Sequence, residues 1–526
     1  MTKQRFCSVL VLLVGTGIAH AQISSATLVG TVTDSSGGVV VGATVEAKNL
    51  GTDFVRSATT ASNGEYVIPN LPVAHYSLTV TMSGFKTFNA PDVQLQVAQR
   101  AMVNAALEVG AVDQKMTVTD VAPIIEMSAS SVGQVVNTVS VEHMPLNGRE
   151  FWQLTDLTPG STFTPVGQDV HSGGGTIRSQ GVNVTINGTA PLWTGWYLDG
   201  ANITETVAGG TLVQPDVDAI QEFKVEGANM PAEYGHSPNV VNATLRSGTN
   251  TFHGTLFEFV RNTDFDARNF FFVAPLGSTL SKEPLRRNQY GGTVGGPVRR
   301  NKTFFFADLE RMDLREGEIF NNVVASLAQR SGDFSALLQA IKDPLTYQPF
   351  PGNIIPASRI SPQGAFFLKY MPLPNVLQGA TSRSVTTSNL AQDNTRGDIR
   401  IDHQISASTQ VMGHYTINNN SEIDPNPFPA LGTTSLYSRA QDATLSLTHV
   451  FGPRWFNEAR FAYYRSLFLY PAMLQGTNFN QEAGVQGFND TTSIYGFPQI
   501  TLSNYATYTG SSSDQRPKSN LVRTWQ

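Results

Sequence analysis

The chain has 526 residues, with 35 basic against 41 acidic side chains, a net charge of −6, 14% charged residues and 10% aromatic residues. That length exceeds one ordinary domain, and the charged fraction falls well below the roughly 25% of soluble globular proteins. An acidic balance without a basic run argues against nucleic acid as a partner. No segment after the first 21 residues approaches 18 apolar positions, so any embedding in a membrane has to use a closed sheet.

Residues 1–21 read as a secretory leader. Lys3 and Arg5 form its basic start, residues 9–18 its apolar core, and Ala19-His20-Ala21 a small-residue cleavage site. The apolar stretch is too short to span a bilayer as a helix, and the mature chain is expected to begin at Gln22. Cys7, the single cysteine, lies inside the leader. The exported protein must therefore be held by its sheets and not by disulfides.

Residues 22–107 carry short alternating runs separated by Gly, Pro, Asn and Asp. Leu28, Gly30 and Val32 come first, then a turn at Asp34-Ser35-Ser36-Gly37-Gly38, then Ala43, Val45 and Ala47. Tyr66/Ile68, Leu78/Val80/Met82, Val93/Leu95/Val97 and Val103/Ala105/Leu107 follow. About seven strands at this spacing predict a small β-sandwich. Gly30-Thr31-Val32-Thr33-Asp34, Gly42-Ala43-Thr44-Val45, Gly64-Glu65-Tyr66 and Ser83-Gly84-Phe85-Lys86 resemble the carboxypeptidase regulatory-like family. That family's module is transthyretin-like and non-catalytic, which implies an accessory domain in the periplasm. His75 is the module's only histidine and no HExxH pattern occurs, so no zinc set is expected.

Residues 108–246 read as a separate α/β domain. Met116, Thr117, Val118, Thr119 and Asp120 form an extended, β-branched segment, which could also be the last strand of the sandwich or the first of the next domain. Pro145-Leu146-Asn147-Gly148-Arg149 leads into a helix predicted over residues 151–157, where Phe151, Leu154 and Leu157 recur at helical spacing before Pro159-Gly160. A strand over 223–225, the loop residues Ala232-Glu233-Tyr234-Gly235 and a strand over 240–245 close the domain. His171-Ser172-Gly173-Gly174-Gly175 lacks a following Lys-Ser/Thr and reads as a flexible loop, not a phosphate cradle. Gly235-His236-Ser237-Pro238-Asn239 lacks the closing Gly of a nucleophile elbow. The nine histidines are scattered singly, and no catalytic, metal or cofactor constellation appears.

The Pro145–Arg149 run with its helix, Val182-Asn183-Val184-Thr185-Ile186-Asn187-Gly188, and Trp196-Tyr197-Leu198-Asp199-Gly200 together resemble the plug of TonB-dependent outer-membrane receptors of the Oar-like type. The resemblance implies that residues 116–120 form a TonB box, which pairs edge-to-edge with a strand of TonB. It also implies that Trp193, Trp196, Tyr197 and Asp199 lie near the ligand side. For Trp193, Trp196 and Tyr197, ordinary core or interface packing is an equal alternative.

From residue 247 onward the period-2 signal is clearest. Ile399, Ile401 and Ile405 alternate with Asp398, Arg400, Asp402 and Gln404, and Val411, Gly413, Tyr415 and Ile417 alternate with Met412, His414, Thr416 and Asn418. One apolar and one charged face suit lipid outside and a polar lumen inside. Phe451, Trp455, Phe456 and Tyr464 near the turn Gly452-Pro453-Arg454 suit an interfacial aromatic girdle. Short turns contrast with a long irregular loop expected over 316–395. About eight strands are legible, and the related transporters close with 22, so the expectation is the N-terminal part of a longer barrel.

The chain as a whole is predicted to be mainly β: a transthyretin-like β-sandwich, an α/β plug, then the first strands of an antiparallel outer-membrane barrel. The resemblance implies a non-enzymatic receptor of the outer membrane of a Gram-negative cell. Its expected partners are the TonB complex, outer-membrane lipid and an unidentified external ligand. A surface adhesin or binding protein that never transports is the alternative.

Overall fold

The computed structural model describes residues 25–110, 115–117, 132–165, 182–190, 193–204, 210–211, 213–227, 234–235, 237–268, 270, 282–379, 381–452, 455–469, 474, 476–487, 496–498, 500–502, 505 and 518–525. The predicted leader, Val118, Thr119, Asp120 and the Gly-rich run at 171–175 lie outside these residues.

Nine strands build the N-terminal sandwich: β1 (Ala26–Asp34), β2 (Thr44–Asn49), β3 (Val55–Thr59), β4 (Glu65–Leu71), β5 (Ala74–Thr81), β6 (Thr87–Leu95), β7 (Arg100–Met102), β8 (Ala105–Leu107) and β9 (Lys115–Thr117). One sheet has the order β4-β1-β7 with β8 also on β1, and the other β3-β2-β5-β6-β9. The alternating Leu28, Val32, Val45, Leu78 and Leu95 meet between them with no exposed surface. The additional strand β3 escapes a hydrophobic reading because one of its two inward residues is Arg56. Arg56 donates from Nη1 to the carbonyls of Pro69 (3.0 Å) and Asn70 (2.6 Å).

The middle domain contains β10 (Val132–Val136), a helix α1 (Thr138–His143), β11 (Ser161–Pro165), β12 (Val182–Ile186), β13 (Thr194–Leu198), β14 (Ala201–Asn202), β15 (Ile220–Gly227) and β16 (Asn239–Leu245). Asn137 caps α1, its side chain accepting the Ser140 N–H. The main sheet runs β10-β15-β16-β13-β14, with β13 parallel to β16 and the other pairs antiparallel. The predicted helix over 151–157 is a 3-10 helix, Phe151–Leu157, that buries Phe151, Trp152 and Leu154 and leaves Leu157 exposed. Trp152 meets Trp196 edge-on at 4.7 Å, and Phe151 meets Phe223 at 5.5 Å. These rings form the centre of the domain's core.

The C-terminal half is one large antiparallel sheet. Its strands are β17 (His253–Asn262), β18 (Leu285–Arg299), β19 (Thr303–Val323), β20 (Val376–Gln378), β21 (Thr381–Ser406), β22 (Thr409–Pro425), β23 (Thr433–Gly452), β24 (Trp455–Leu469) and β25 (Lys518–Trp525). They pair in sequence order, with the short β20 forming a hairpin on β21. The sheet is open, since β17 and β25 do not pair with each other. Every second residue faces the middle domain: Arg396, Asp398, Arg400 and Asp402 are buried while Ile399 and Ile401 are exposed on the outer face.

Short connections β18–β19, β21–β22 and β23–β24 lie at one end of this wall and the long ones at the other. The long irregular loop is shorter than the expected 316–395. β19 and β21 stay paired up to Val323↔Arg383, leaving residues 324–380 between them. At the long-loop end Val324, Met371, Phe428, Leu431, Phe479 and Phe497 pack a small core of their own. Arg330 stitches that core by donating to the carbonyls of Met371 (2.8 Å) and Pro372 (2.6 Å).

Trp196→Ala removes an indole with 1% exposure from the centre of the middle domain. It should lower that domain's stability by about 3–5 kcal/mol, read as a lower thermal midpoint for its protection from protease.

Candidate functional site

Two clusters of buried charge join the middle domain to the wall. The first is built on Pro145-Leu146-Asn147-Gly148-Arg149. Gly148 (φ 81°) and Arg149 (φ 55°) are consecutive left-handed residues, which costs the non-glycine roughly 1–2 kcal/mol and turns the loop outward. The Gly148 carbonyl accepts from Gln289 Nε2 (3.0 Å) and Arg396 Nη2 (3.3 Å), and Asn147 Oδ1 accepts from Arg287 Nη1 (2.9 Å). Arg149 donates from Nε to Glu310 Oε2 at 2.8 Å and from Nη2 to Asp216 (3.1 Å) and Asp218 (2.9 Å). Its guanidinium lies over the rings of Phe257 (4.0 Å) and Phe259 (4.9 Å) on the first wall strand. The other oxygen of Glu310 accepts from Arg396 Nε at 2.6 Å and Gln289 Nε2 at 2.9 Å. Burial, reinforced by the charge of Glu310, outweighs Arg396 and Arg149 and pushes the Asp216 carboxyl up to about 7.

The second cluster is built on Asp199-Gly200, the turn between β13 and β14, with φ of 48° and 78°. A Cβ on Gly200 would lie 2.4 Å from the Arg460 guanidinium, so both the conformation and the close approach require glycine. Asp199 Oδ1 accepts from Arg400 Nη1 (2.9 Å) and the Leu245 N–H (3.2 Å), while Oδ2 lies 2.8 Å from His414 Nδ1. Arg400 also grips Asp402 with two bonds of 2.9 and 3.0 Å, and His414 Nε2 reaches Asp442 at 2.5 Å. Burial raises the Asp199 carboxyl, but Arg400, His414 and the Leu245 N–H together hold it below the usual carboxylate range. Arg460 donates to the Gly200 carbonyl at 2.9 Å and pairs with Glu458.

A domain seated in a sheet with charged inner and apolar outer faces is the geometry of a plugged membrane barrel. The family model for the outer membrane beta barrel domain matches residues 244–526, more than half of the chain. The chain belongs to this outer-membrane β-barrel family. The carboxypeptidase regulatory-like domain matches residues 27–108. Over 301 residues the chain is 27% identical to the TonB-dependent transporter Oar of Myxococcus xanthus, covering 54% of this chain and 26% of that protein. It thus spans about a quarter of the length of that curated relative. Among solved structures, the outer-membrane transporter YddB of Escherichia coli superposes with a TM-score of 0.41 at 9% identity, over 65% of this chain and 40% of its own. The ferric enterobactin receptor PfeA of Pseudomonas aeruginosa superposes with a TM-score of 0.36 at 12% identity, over 64% and 41%.

The sandwich docks on the short-turn end of this barrel wall. The Asn250 N–H donates to the Gly51 carbonyl (2.8 Å), and its side-chain amide reaches Asp53 (3.2 Å) and Asn301 (2.7 Å). On the plug side the Val97 N–H donates to the buried carboxyl of Glu222. A cavity of about 300 Å³ remains between the three parts, lined by Phe54 and His75 of the sandwich, Gln221 and Thr244 of the plug, and Arg400 and Gln410 of the wall.

The structure scatters the ligand-side residues read from the sequence. Trp193 is 61% exposed. Trp196 lies in the plug core, and Tyr197 is buried against Tyr234 and Val240. Asp199, at the opposite end of β13 from Trp193, faces the short-turn half of the wall, away from the long loops. Met116 and Thr117 form the strand β9, which runs parallel to β6 from Phe88↔Met116 to Asn89↔Thr117. Of the residues that carry the clusters, Glu310 and Arg396 were not read from the sequence, and Arg400 and His414 were read only as part of the polar face of alternating strands. The signal was present as charges at every second position of β21.

Glu310→Ala leaves Arg149 and Arg396 without their shared carboxylate, and should weaken plug seating by about 3–5 kcal/mol. The denaturant midpoint for release of the plug from the barrel should fall accordingly, with the sandwich's own melt unchanged. A pH dependence belongs to Glu222. Burial pushes it up to about 7, against the Val97 N–H and Lys224, which favour the anion; in water it returns to about 4.3. Docking of the sandwich then takes up a proton, so it weakens as pH rises from about 4.3 to 7 and is not weakened further above that. Spin labels at Glu46→Cys and Val298→Cys should lose their short-distance population from pH 5 to pH 8, and Glu222→Gln should flatten the change.

Proposed function

We propose that the protein acts as a TonB-dependent receptor that captures an external ligand on the long-loop side and imports it. The observation that carries this reading is the pair of buried charge clusters that holds a folded plug against the inner wall. A plug fixed by largely buried ion pairs closes the passage and needs work to shift, and TonB would supply that work from the proton gradient of the inner membrane. The similarity to Oar supports the same reading. Trp193 is the candidate for ligand contact, since its indole is open to solvent.

Met116, Thr117, Val118, Thr119 and Asp120 are the proposed TonB contact, reached by strand addition in which backbone hydrogen bonds supply the affinity. The edge position of β9 supports a segment able to pair as a strand. Export by the leader at residues 1–21 belongs to the same proposal. Immobilised periplasmic TonB should retain the detergent-extracted protein, and deletion of residues 116–120 should weaken retention at least tenfold. Unchanged retention after the deletion assigns the segment to the sandwich alone. No retention of either form favours a surface-binding protein that does not transport.

A further inference from the structure

On the outer face of the barrel wall two arginines lie side by side with no carboxylate partner among the described residues. On β22, β23 and β24 the buried even-numbered residues face the plug, so the odd-numbered ones face lipid. This lipid-facing set includes Tyr415, Asn419, Tyr437, Leu445, Phe461 and Tyr463, with no Asp or Glu among them, yet it contains Arg439 and Arg465. The strand register pairs Arg439 with Leu467 and Arg465 with Gln441, making the arginines diagonal neighbours, about 7–8 Å apart along the sheet. Arg439 donates to the amide oxygen of Asn419 at 2.5 Å and lies 5.6 Å from the Tyr437 ring. Among the described residues neither arginine has a carboxylate partner. Elsewhere on the same face the contrast is clear. Arg311 and Arg315 are neutralised by Asp313 and Asp393, with N–O distances of 2.8 Å within Arg311–Asp313 and Arg315–Asp393.

Height along the wall says which leaflet the pair meets. Trp455 and Phe451 are exposed at the short-turn end, where a girdle marks the inner interface. Arg465 is ten residues above Trp455 on β24, and Arg439 twelve above Phe451 on β23. At roughly 2.6 Å of vertical rise per residue in a tilted strand, both guanidinia sit about 26–31 Å up. The apolar band of such barrels is about 25 Å tall, so the pair lies at the outer edge of the hydrocarbon. Leu445, Leu447 and Phe461 form exposed apolar surface four to eight residues nearer the short-turn end, beyond Gln441, Ala443 and Tyr463 on the same face.

We propose that Arg439 and Arg465 bind the phosphate of an outer-leaflet lipid headgroup, whose acyl chains lie along Leu445, Leu447 and Phe461. Two guanidinia without a counter-ion at a lipid interface need an anion, and their planar forks match phosphate oxygens. The exposed apolar surface further down the same face selects a lipid over a free anion. The site rests only on this face of the wall meeting lipid and is independent of transport.

Native mass spectrometry of the protein in mild detergent, titrated with lipid A, tests the assignment. The wild type should hold the lipid, and R439Q/R465Q should bind it at least tenfold more weakly, while R439K/R465K keeps part of the affinity and R311Q/R315Q all of it. Unchanged resistance of the plug to protease shows that the variants are folded. Equal binding by R439Q/R465Q and the wild type overturns the proposal. So does equally tight binding of dephosphorylated lipid A, or displacement of the lipid by inorganic phosphate at the same concentration as the lipid itself.

Discussion

A carboxylate shared by two arginines from different parts of the chain ties the architecture together. Glu310 on β19 is held by Arg149 of the plug and Arg396 of β21, and all three are largely removed from water. A charge buried without a partner costs several kcal/mol. The inward faces of β19 and β21 therefore depend on the plug for their satisfaction, and the plug depends on them. Arg400 likewise reaches from the wall to the plug, pairing with Asp199 and donating to the Leu245 carbonyl at 2.8 Å besides its own-strand partner Asp402. Plug and wall are best regarded as one folding problem.

Where the two faces of a strand met different solvents, the sequence was readable. Ile399 and Ile401 against Arg400 and Asp402 announced both the strand and its sidedness, because lipid and plug make opposite demands. The reading weakened where both faces meet water. β19 continues through Glu316, Glu318, Asn321 and Asn322 to Val323, with Ile319 and the adjacent Phe320 on opposite faces and no clean alternation, so this part looked like loop. Its backbone ladder to β21 persists all the same, since hydrogen-bonded pairing does not need side-chain contrast. β3 was hidden for a related reason, an inward arginine that donates to backbone carbonyls.

The clusters themselves were only half legible. Alternating charges on β21 could be placed on the inner face, but nothing local says that Arg400 will meet Asp199 rather than a lumenal water. That pairing spans some 200 residues of sequence and is decided by the register of β13 against β16. The aromatic residues around Asp199 posed the opposite difficulty. Indoles and phenols suit both a ligand surface and a core, and the parallel pairing of β13 beside β16 puts Trp196 and Tyr197 inside. Trp193, one residue before that strand, escapes burial.

The sandwich adds a second layer of dependence at the short-turn end. It touches the wall through one polar turn, Asn250 with Gly51 and Asp53, and the plug through the Val97–Glu222 bond. Among the described residues these hydrogen bonds rim a cavity of about 300 Å³, whereas the clusters above them are buried. Because Glu222 lies on β15, the central neighbour of β16 in the plug sheet, the bond that holds the sandwich also reaches the strand through which the plug is joined in sequence to the barrel.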